Sequence, residues 1–266
     1  MEKSAPAVRR CRLRGLPAVA SLSRVAESAC PMPRYALMES PVSNPAPRRL
    51  VIFGASNIVS DLFDCALANG LVPAKVVLHL PEPAGERNIP LAVRIAALEG
   101  LCDPPHVEML DEFRPAAGEL YALGPTSPAR ANLVTELERR FGLRYHTLVH
   151  PAAYVSPLAQ LGEGVFVGAS SVIAPGVCLG DHVFVNRGVT IGHDTQIGSF
   201  SRVQPGANVG GLSRIGSGVT IAIGATVLER LVIGDDAFVG AGAVVTSDVA
   251  DRAQVFGSPA KVIKTL

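Results

Sequence analysis

Aliphatic residues recur at every sixth position from Val155 to Val245 with no insertion or deletion: Val155, Leu161, Val167, Ile173, Leu179, Val185, Ile191, Ile197, Val203, Val209, Ile215, Ile221, Val227, Ile233, Val239 and Val245. The following position is Gly in nine of these sixteen hexads, beginning with Gly162, Gly168, Gly180, Gly192 and Gly198. Four positions on stands a small or β-branched residue in nearly every case, as at Ala207, Ser213, Val219 and Ala225. A period of six fits neither the 3.6 of a helix nor the 2 of a strand. It predicts a β-solenoid in which each hexad supplies one short strand and one corner. Three hexads would close one triangular coil, so that residues 18 apart in the sequence stack. Each inward aliphatic side chain is worth roughly 1.5–3 kcal/mol before chain entropy is subtracted. An insertion of one residue would throw every later side chain off the core.

The pattern ahead of the solenoid is different. Leu50-Val51-Ile52-Phe53 reads as a buried strand entering the turn Gly54-Ala55-Ser56-Asn57, and Ile58, Leu62, Phe63, Ala66 and Leu67 then follow a helical period as far as Asn69-Gly70. Val76-Val77-Leu78 and Leu120-Tyr121-Ala122-Leu123 read as further strands. Ser127 is placed as an N-cap with Pro128 at the first helical position, its helix carrying Leu133, Val134, Leu137 and Phe141 up to Gly142. Alternating strands and helices imply a small parallel α/β domain over residues 48–149, followed by the all-β solenoid over 150–266. A strand-turn-helix opening with Gly54 at the turn can hold phosphate on the helix N-terminus. A single Gly is not a dinucleotide fingerprint, and many such turns need it for steric reasons alone.

Composition narrows the class. A chain of 266 residues accommodates two domains, and the absence of Trp together with 26 glycines suits a solenoid. Charge is uneven: residues 1–49 carry a net +6 and residues 50–266 a net −5, so no nucleic-acid footprint lies on the part expected to fold. The five cysteines, at 11, 30, 65, 102 and 178, form no CxxC pair, which argues against a disulfide framework or a zinc cage and makes a reducing cytoplasm the expected compartment. No apolar run suffices for membrane insertion. Residues 1–47 are rich in Arg, Ala, Ser and Pro. They read as a disordered extension, or as sequence ahead of a true start at Met32 or Met38, with a transit peptide as the other reading.

Several stretches taken in order resemble the sugar acyltransferases that include the bacillosamine and sialic acid acetyltransferases: Val51 to Ser56, Ala122-Leu123-Gly124 with Arg130, Val149-His150-Pro151, Val185-Asn186 through Gly192-His193-Asp194 to Phe200, and Val239 to Val245 with Phe256 to Lys261. The resemblance implies a Rossmann-like domain holding a sugar or nucleotide-sugar acceptor, and a left-handed parallel β-helix that forms a homotrimer and binds acetyl-CoA between subunits. By that likeness His193 is the general base and Asp194 its acidic neighbour. Arg202, Gly211, Ile223 and Ala241 fall where the family contacts the coenzyme, and Gly54, Ala55 and Ser56 fall on its acceptor loop. The chain departs from that family at three places. Arg202 stands where a second His is common, Asn57 where the loop continues with Gly, and Leu78-His79-Leu80-Pro81 where an acidic pair follows the second strand.

The residues support part of this chemistry themselves. His193 is the third residue of its hexad and faces outward, stacked between Pro175 and Gly211, which leaves room beside the imidazole. A His with an ordinary pKa near 6.5 has a neutral fraction ready to accept a proton from an amine or hydroxyl attacking a thioester. If Asp194 reaches the ring, it orients the tautomer. His182 has no comparable setting, His150 is expected at the domain junction, and His146 is read as structural. A γ-type carbonic anhydrase needs three His on zinc, and the hexads contain only His182 and His193. Sugar nucleotidyltransferases need a large catalytic domain that residues 48–149 cannot supply. The remaining alternative is a non-catalytic trimeric scaffold or ligand sensor. Outward aromatic residues such as Phe166, Phe184 and Phe238 are expected to be covered by three-fold packing.

Overall fold

The computed structural model describes residues 48–82 and 88–265; the expectations for residues 1–47 lie outside the described residues. The chain opens with β1 (Arg49–Phe53), α1 (Val59–Ala68), β2 (Val72–Leu78), α2 (Leu91–Ala96), β3 (His106–Met109), β4 (Glu119–Leu123) and α3 (Arg130–Phe141). Their four strands form one parallel sheet in the order β3-β2-β1-β4. The central strand β1 is buried from Leu50 to Phe53, as its unbroken apolar run requires. α1 buries Val59, Leu62, Phe63, Cys65 and Ala66. It stops where Asn69 turns its amide back to the Cys65 carbonyl (2.8 Å) and Gly70 adopts φ +66°.

α3 starts later than a Ser127 cap implies. Ser127 to Ala129 form a turn in which the Arg130 amide donates to the Ser127 carbonyl (2.9 Å), and no side chain caps the helix. Its end agrees with expectation, Gly142 lying in the left-handed region at φ +61°.

From Leu148 the chain winds into a three-sided prism of parallel strands. The first face stacks Leu148–Val149, Phe166–Val167, Phe184–Val185, Arg202–Val203, Thr220–Ile221, Phe238–Val239 and Ala253–Phe256, with Lys261–Thr265 added antiparallel at the end. The second face stacks the strands that begin at Tyr154, Val172, Thr190, Asn208, Thr226 and Val244, and the third those that begin at Gln160, Cys178, Gln196, Arg214 and Val232. Partners are 18 apart, as in Phe184 with Arg202 and Thr190 with Asn208. Of the sixteen periodic aliphatics all but Val155 are buried, and they form one continuous core column. At the corners, the third residue after each aliphatic from Leu161 to Val239 is turned into the left-handed region. Gly takes that place at 164, 176, 188 and 206, but His182, Asp194, Phe200 and Leu212 also do.

The α/β part packs on the first face. Leu148, Phe166 and Phe184 belong to the same apolar cluster as Leu50, Leu62 and Ala122, with the Phe166 and Phe184 rings stacked 4.8 Å apart. This corrects the expectation for the outward aromatics. Phe166 and Phe184 are covered by their own chain, whereas Phe238 stacks on the exposed Phe256 at 5.7 Å and remains half-buried. α1 lies along the edge between the first and second faces. Asp64 approaches His150 Nε2 (3.4 Å), and Asp61 pairs with Arg187 (2.9 Å). Arg187 stands two coils beyond His150, about 10 Å along the axis at strand spacing, so the N-terminal end of α1 points toward the later coils. Among the described residues no helix is long and apolar enough to cross a membrane.

Candidate active site

His193 and Asp194 occupy the edge between the second and third faces. Asp194 takes the left-handed conformation (φ +57°), which short polar residues tolerate better than most, and its Oδ2 lies 2.9 Å from His193 Nδ1. Both side chains are more than half exposed. A carboxylate acceptor at Nδ1 assigns the proton to that nitrogen and leaves the Nε2 lone pair free as a base. The backbone holds the pair in place: the Asp194 amide donates to the Pro175 carbonyl (3.0 Å) and the His193 carbonyl accepts from the Leu212 amide (2.8 Å).

Two glycines shape the surroundings. A Cβ at Gly211 would lie 2.9 Å from His193 Nε2, so the residue one coil later keeps the basic nitrogen uncovered. A Cβ at Gly176, one coil earlier, would collide with Asp194 Oδ1. Sequence reasoning found Gly211 but passed over Gly176, although the same stacking arithmetic, counting 18 back from Asp194, points to it.

The remaining expected coenzyme contacts stand elsewhere on the prism. Ile223 and Ala241 belong to the edge between the first and second faces, in a column with Arg187 and Pro205. There the Gly206, Gly224 and Gly242 amides donate in turn to the carbonyls of Arg187, Pro205 and Ile223. Ile223 is 60% exposed, an apolar side chain open on this edge. Arg202 lies on the first face, across the prism from His193, where its Nε donates to Thr220 Oγ1 (3.0 Å). The chain therefore brings His193, Asp194 and Gly211 together and holds Ile223 and Ala241 apart from them on another edge, with Arg202 separate from both.

The acceptor-loop residues lie beside a cleft of about 460 Å³. Ala55 and Ser56 line it with Asn57, Glu82, Leu91 and Arg94, whereas Gly54 is buried behind them. Gly54 donates to the Val77 carbonyl (2.7 Å) at φ +78°, and a Cβ there would meet the His79 ring and Pro125 at 2.9 Å. Its requirement for Gly is thus steric. Ser56 Oγ donates to the Gly124 carbonyl (2.8 Å), fixing the turn to the end of β4. Burial lowers the His79 pKa, so this ring is neutral near pH 7.

A second polar group joins the sheet to the solenoid. Arg130 is buried and donates to the carbonyls of Thr126, His182 and Ser201. Burial, with Arg202 nearby, pulls its pKa down to about 10, still charged at neutral pH. His182 is sandwiched between Tyr145 and Phe200, and burial lowers it to about 4. Among the described residues no group of three or more His, Cys, Asp or Glu stands ready to hold a metal ion.

The bacterial transferase hexapeptide family (six repeats) matches residues 158–193 and 212–247. This is a left-handed β-helix of transferase hexapeptide repeats. Among solved structures, the acetyltransferase domain of PglB from Neisseria gonorrhoeae FA1090 is 28% identical, with a TM-score of 0.68 over 81% of this chain and 100% of that one. The same domain in complex with acetyl coenzyme A matches equally well, over 82% of this chain and 100% of that one. A variant of perosamine N-acetyltransferase from Caulobacter crescentus, in complex with CoA and GDP-perosamine, is 25% identical, with a TM-score of 0.69 over 81% of this chain and 96% of that one. These neighbours are acetyltransferases, and the matches span both parts of the described fold. No curated protein matches the chain.

Proposed function

We propose that the chain is an acetyl-CoA-dependent acetyltransferase that acylates a sugar, most simply the amine of a nucleotide-linked amino sugar, with His193 as general base. The observation that carries the reading is the His193–Asp194 pair at 2.9 Å, open to solvent beside a Gly. Solved neighbours that hold acetyl-CoA, or CoA with a GDP-sugar, support the substrate classes.

The chemistry follows from the geometry. The acceptor nitrogen attacks the thioester carbonyl, forming the C–N bond as Nε2 removes its proton. Asp194, in contact with Nδ1, stabilises the imidazolium. The tetrahedral intermediate then expels the CoA sulfur as the C–S bond breaks, and the proton on His193 passes to it. Backbone N–H groups at the coil edge are the simplest donors to the transient oxyanion.

The separation of the edges gives a homotrimer a physical reason. The cleft beside α1 lies by the edge between the first and second faces, and His193 lies on a different edge, so one protomer's base works on an acceptor held by its neighbour. Ile223 and Ala241 of that neighbour, apolar and small, suit the pantetheine arm. The test is thiol release from acetyl-CoA with a panel of nucleotide amino sugars, run on the native protein and on His193→Ala. The native protein is expected to release CoA in an acceptor-dependent way and the variant about 10²–10⁴-fold more slowly. Binding of small molecules by both proteins without thiol release by either would establish the scaffold reading.

A further inference from the structure

Edge and height along the prism together single out Arg187. It stands at the corner where the first face gives way to the second, and His193 stands at the far end of the same second-face strand, Thr190–Ile191. The chain climbs about one-third of a coil between them, roughly 1.6 Å at strand spacing. A three-fold axis parallel to the shaft keeps every coil at its own height, so the edge carrying His193 in one protomer meets its neighbour at the level of Arg187. Arg187 also begins the column that continues through Pro205 to Ile223 and Ala241, two and three coils later in the sequence, about 10 and 14 Å along the axis. A pantetheine arm laid on Ile223 and Ala241, with its thioester directed at the neighbour's His193, therefore ends at Arg187.

The guanidinium is held at that place and still open. Its side chain is 60% exposed, and among the described residues its one side-chain hydrogen bond runs from Nη1 to Asp61 Oδ1 (2.9 Å). An ion pair this exposed contributes little to stability. Asp61 belongs to the first turn of α1, so the helix whose N-terminal end borders the 460 Å³ cleft also positions the cation on the coenzyme edge. The backbone is fixed as well: the Arg187 amide donates to Asn186 Oδ1 (2.8 Å), and its carbonyl accepts from the Gly206 amide (3.2 Å).

From this we infer that Arg187 is a further catalytic residue, contributed by the neighbouring protomer, that donates to the thioester oxygen as it becomes an oxyanion. When the acceptor amine bonds to the carbonyl carbon, the C=O π pair moves onto oxygen. Arg187 N–H then adds a charged donor to the backbone N–H groups at the coil edge, while His193 Nε2 takes the amine proton. As the C–S bond breaks, the pair on oxygen re-forms the carbonyl and the proton on His193 passes to sulfur. Asp61 beside Arg187 and Asp194 beside the imidazolium offset the repulsion between the two cations. The inference rests on the sugar-acetyltransferase reading and on its homotrimer.

The test is steady-state thiol release from acetyl-CoA by the full-length protein, with whichever UDP-, GDP- or dTDP-linked amino sugar the native protein acylates fastest, on native protein, Arg187→Gln, Arg187→Lys and Asp61→Asn. Arg187→Gln should lower kcat about 10²–10³-fold, the cost of one oxyanion donor, with little change in KM for acetyl-CoA. Arg187→Lys keeps the charge without the fork of donors and should retain more activity. Asp61→Asn removes the ion pair but leaves the guanidinium, and its kcat should fall much less. Co-refolding Arg187→Gln with His193→Ala should return about a quarter of native activity per site, because a working interface takes His193 from the first and Arg187 from the second. No recovery in the mixture would overturn the inference, and so would a native kcat in Arg187→Gln, which leaves acetyl transfer itself standing. Equal losses in Arg187→Gln and Asp61→Asn, or loss of the trimer by light scattering in Arg187→Gln, would make the pair a tether between α1 and the prism and overturn it also. If the native protein releases no thiol with any of these acceptors, the acetyltransferase reading fails and the role of Arg187 falls with it.

Discussion

At the scale of single residues, the argument turns on how little space surrounds the basic nitrogen. A methyl group at position 211 would sit 2.9 Å from His193 Nε2, so Gly211→Ala must push the ring aside or cover its lone pair. The expected outcome is a fall in kcat of about 10²-fold, the cost of misplacing a reacting group by about an ångström, with the circular dichroism spectrum unchanged. His182 gives a prediction of a different kind. Its folded pKa of about 4 lies below the ordinary 6.5, set first by burial and then by the Arg130 charge, with Asp181 opposing. The unfolded chain therefore takes up a proton first as pH falls. The stabilising contribution is complete above pH 6.5, is lost as pH drops from there toward 4, and changes no further below. After allowance for solvent screening, the loss is on the order of 1–2 kcal/mol. Phe200 occupies the matching left-handed corner one coil later, so an aromatic carbon ring fits at 182. Urea midpoints at pH 7 and pH 5 should differ less in His182→Phe than in the native protein, and equal differences would refute the assignment.

At the scale of elements, the solenoid was legible because its signal is a spacing. Each inward aliphatic meets its stacked partner 18 residues away, so the period alone fixes the register of every later strand. Ile191→Ala should accordingly cost about 2–5 kcal/mol in denaturant unfolding, the range for an aliphatic deletion in a packed core. One Ala inserted after Gly198 should be far worse, because it turns all later hexads outward. The α/β elements were legible only where they are long and buried. β1 and α1 carry an uninterrupted apolar run and a clear helical period, whereas α2 and β3 are short and largely exposed and gave no pattern to read. The start of α3 was misplaced for a related reason. Ser127-Pro128 is good cap chemistry locally, but tertiary contacts draw the chain into a turn that delivers Arg130 to the carbonyls of His182 and Ser201. Likewise the His193–Asp194 pair could be read from adjacent residues, while Asn57 and Arg94 are brought together across 37 positions by helix packing that no local pattern encodes.

At the scale of the whole molecule, the decisive fact is that the two halves of the proposed site sit on different edges of one prism. His193 projects between the second and third faces, and Ile223 and Ala241 project between the first and second, beside the α/β part. A triangular shaft turned about a three-fold axis can bring one edge of each copy against the other edge of the next. Light scattering should then give a trimer at micromolar concentration. A stricter test uses two damaged chains. His193→Ala removes the base from one edge, and Ile223→Arg, at an exposed position, blocks the other edge without disturbing the core. Each variant alone should be inactive. In a randomly mixed trimer an interface works when an Ile223→Arg protomer supplies its intact His193 to a His193→Ala protomer that supplies its intact edge, which happens at about one interface in four. Co-refolding equal amounts should therefore restore about a quarter of native activity per site, a recovery that arises only from sites assembled between neighbours. If both halves of a site belonged to the same protomer, every mixture would stay as inactive as its components, and the homotrimer would have no part in the chemistry.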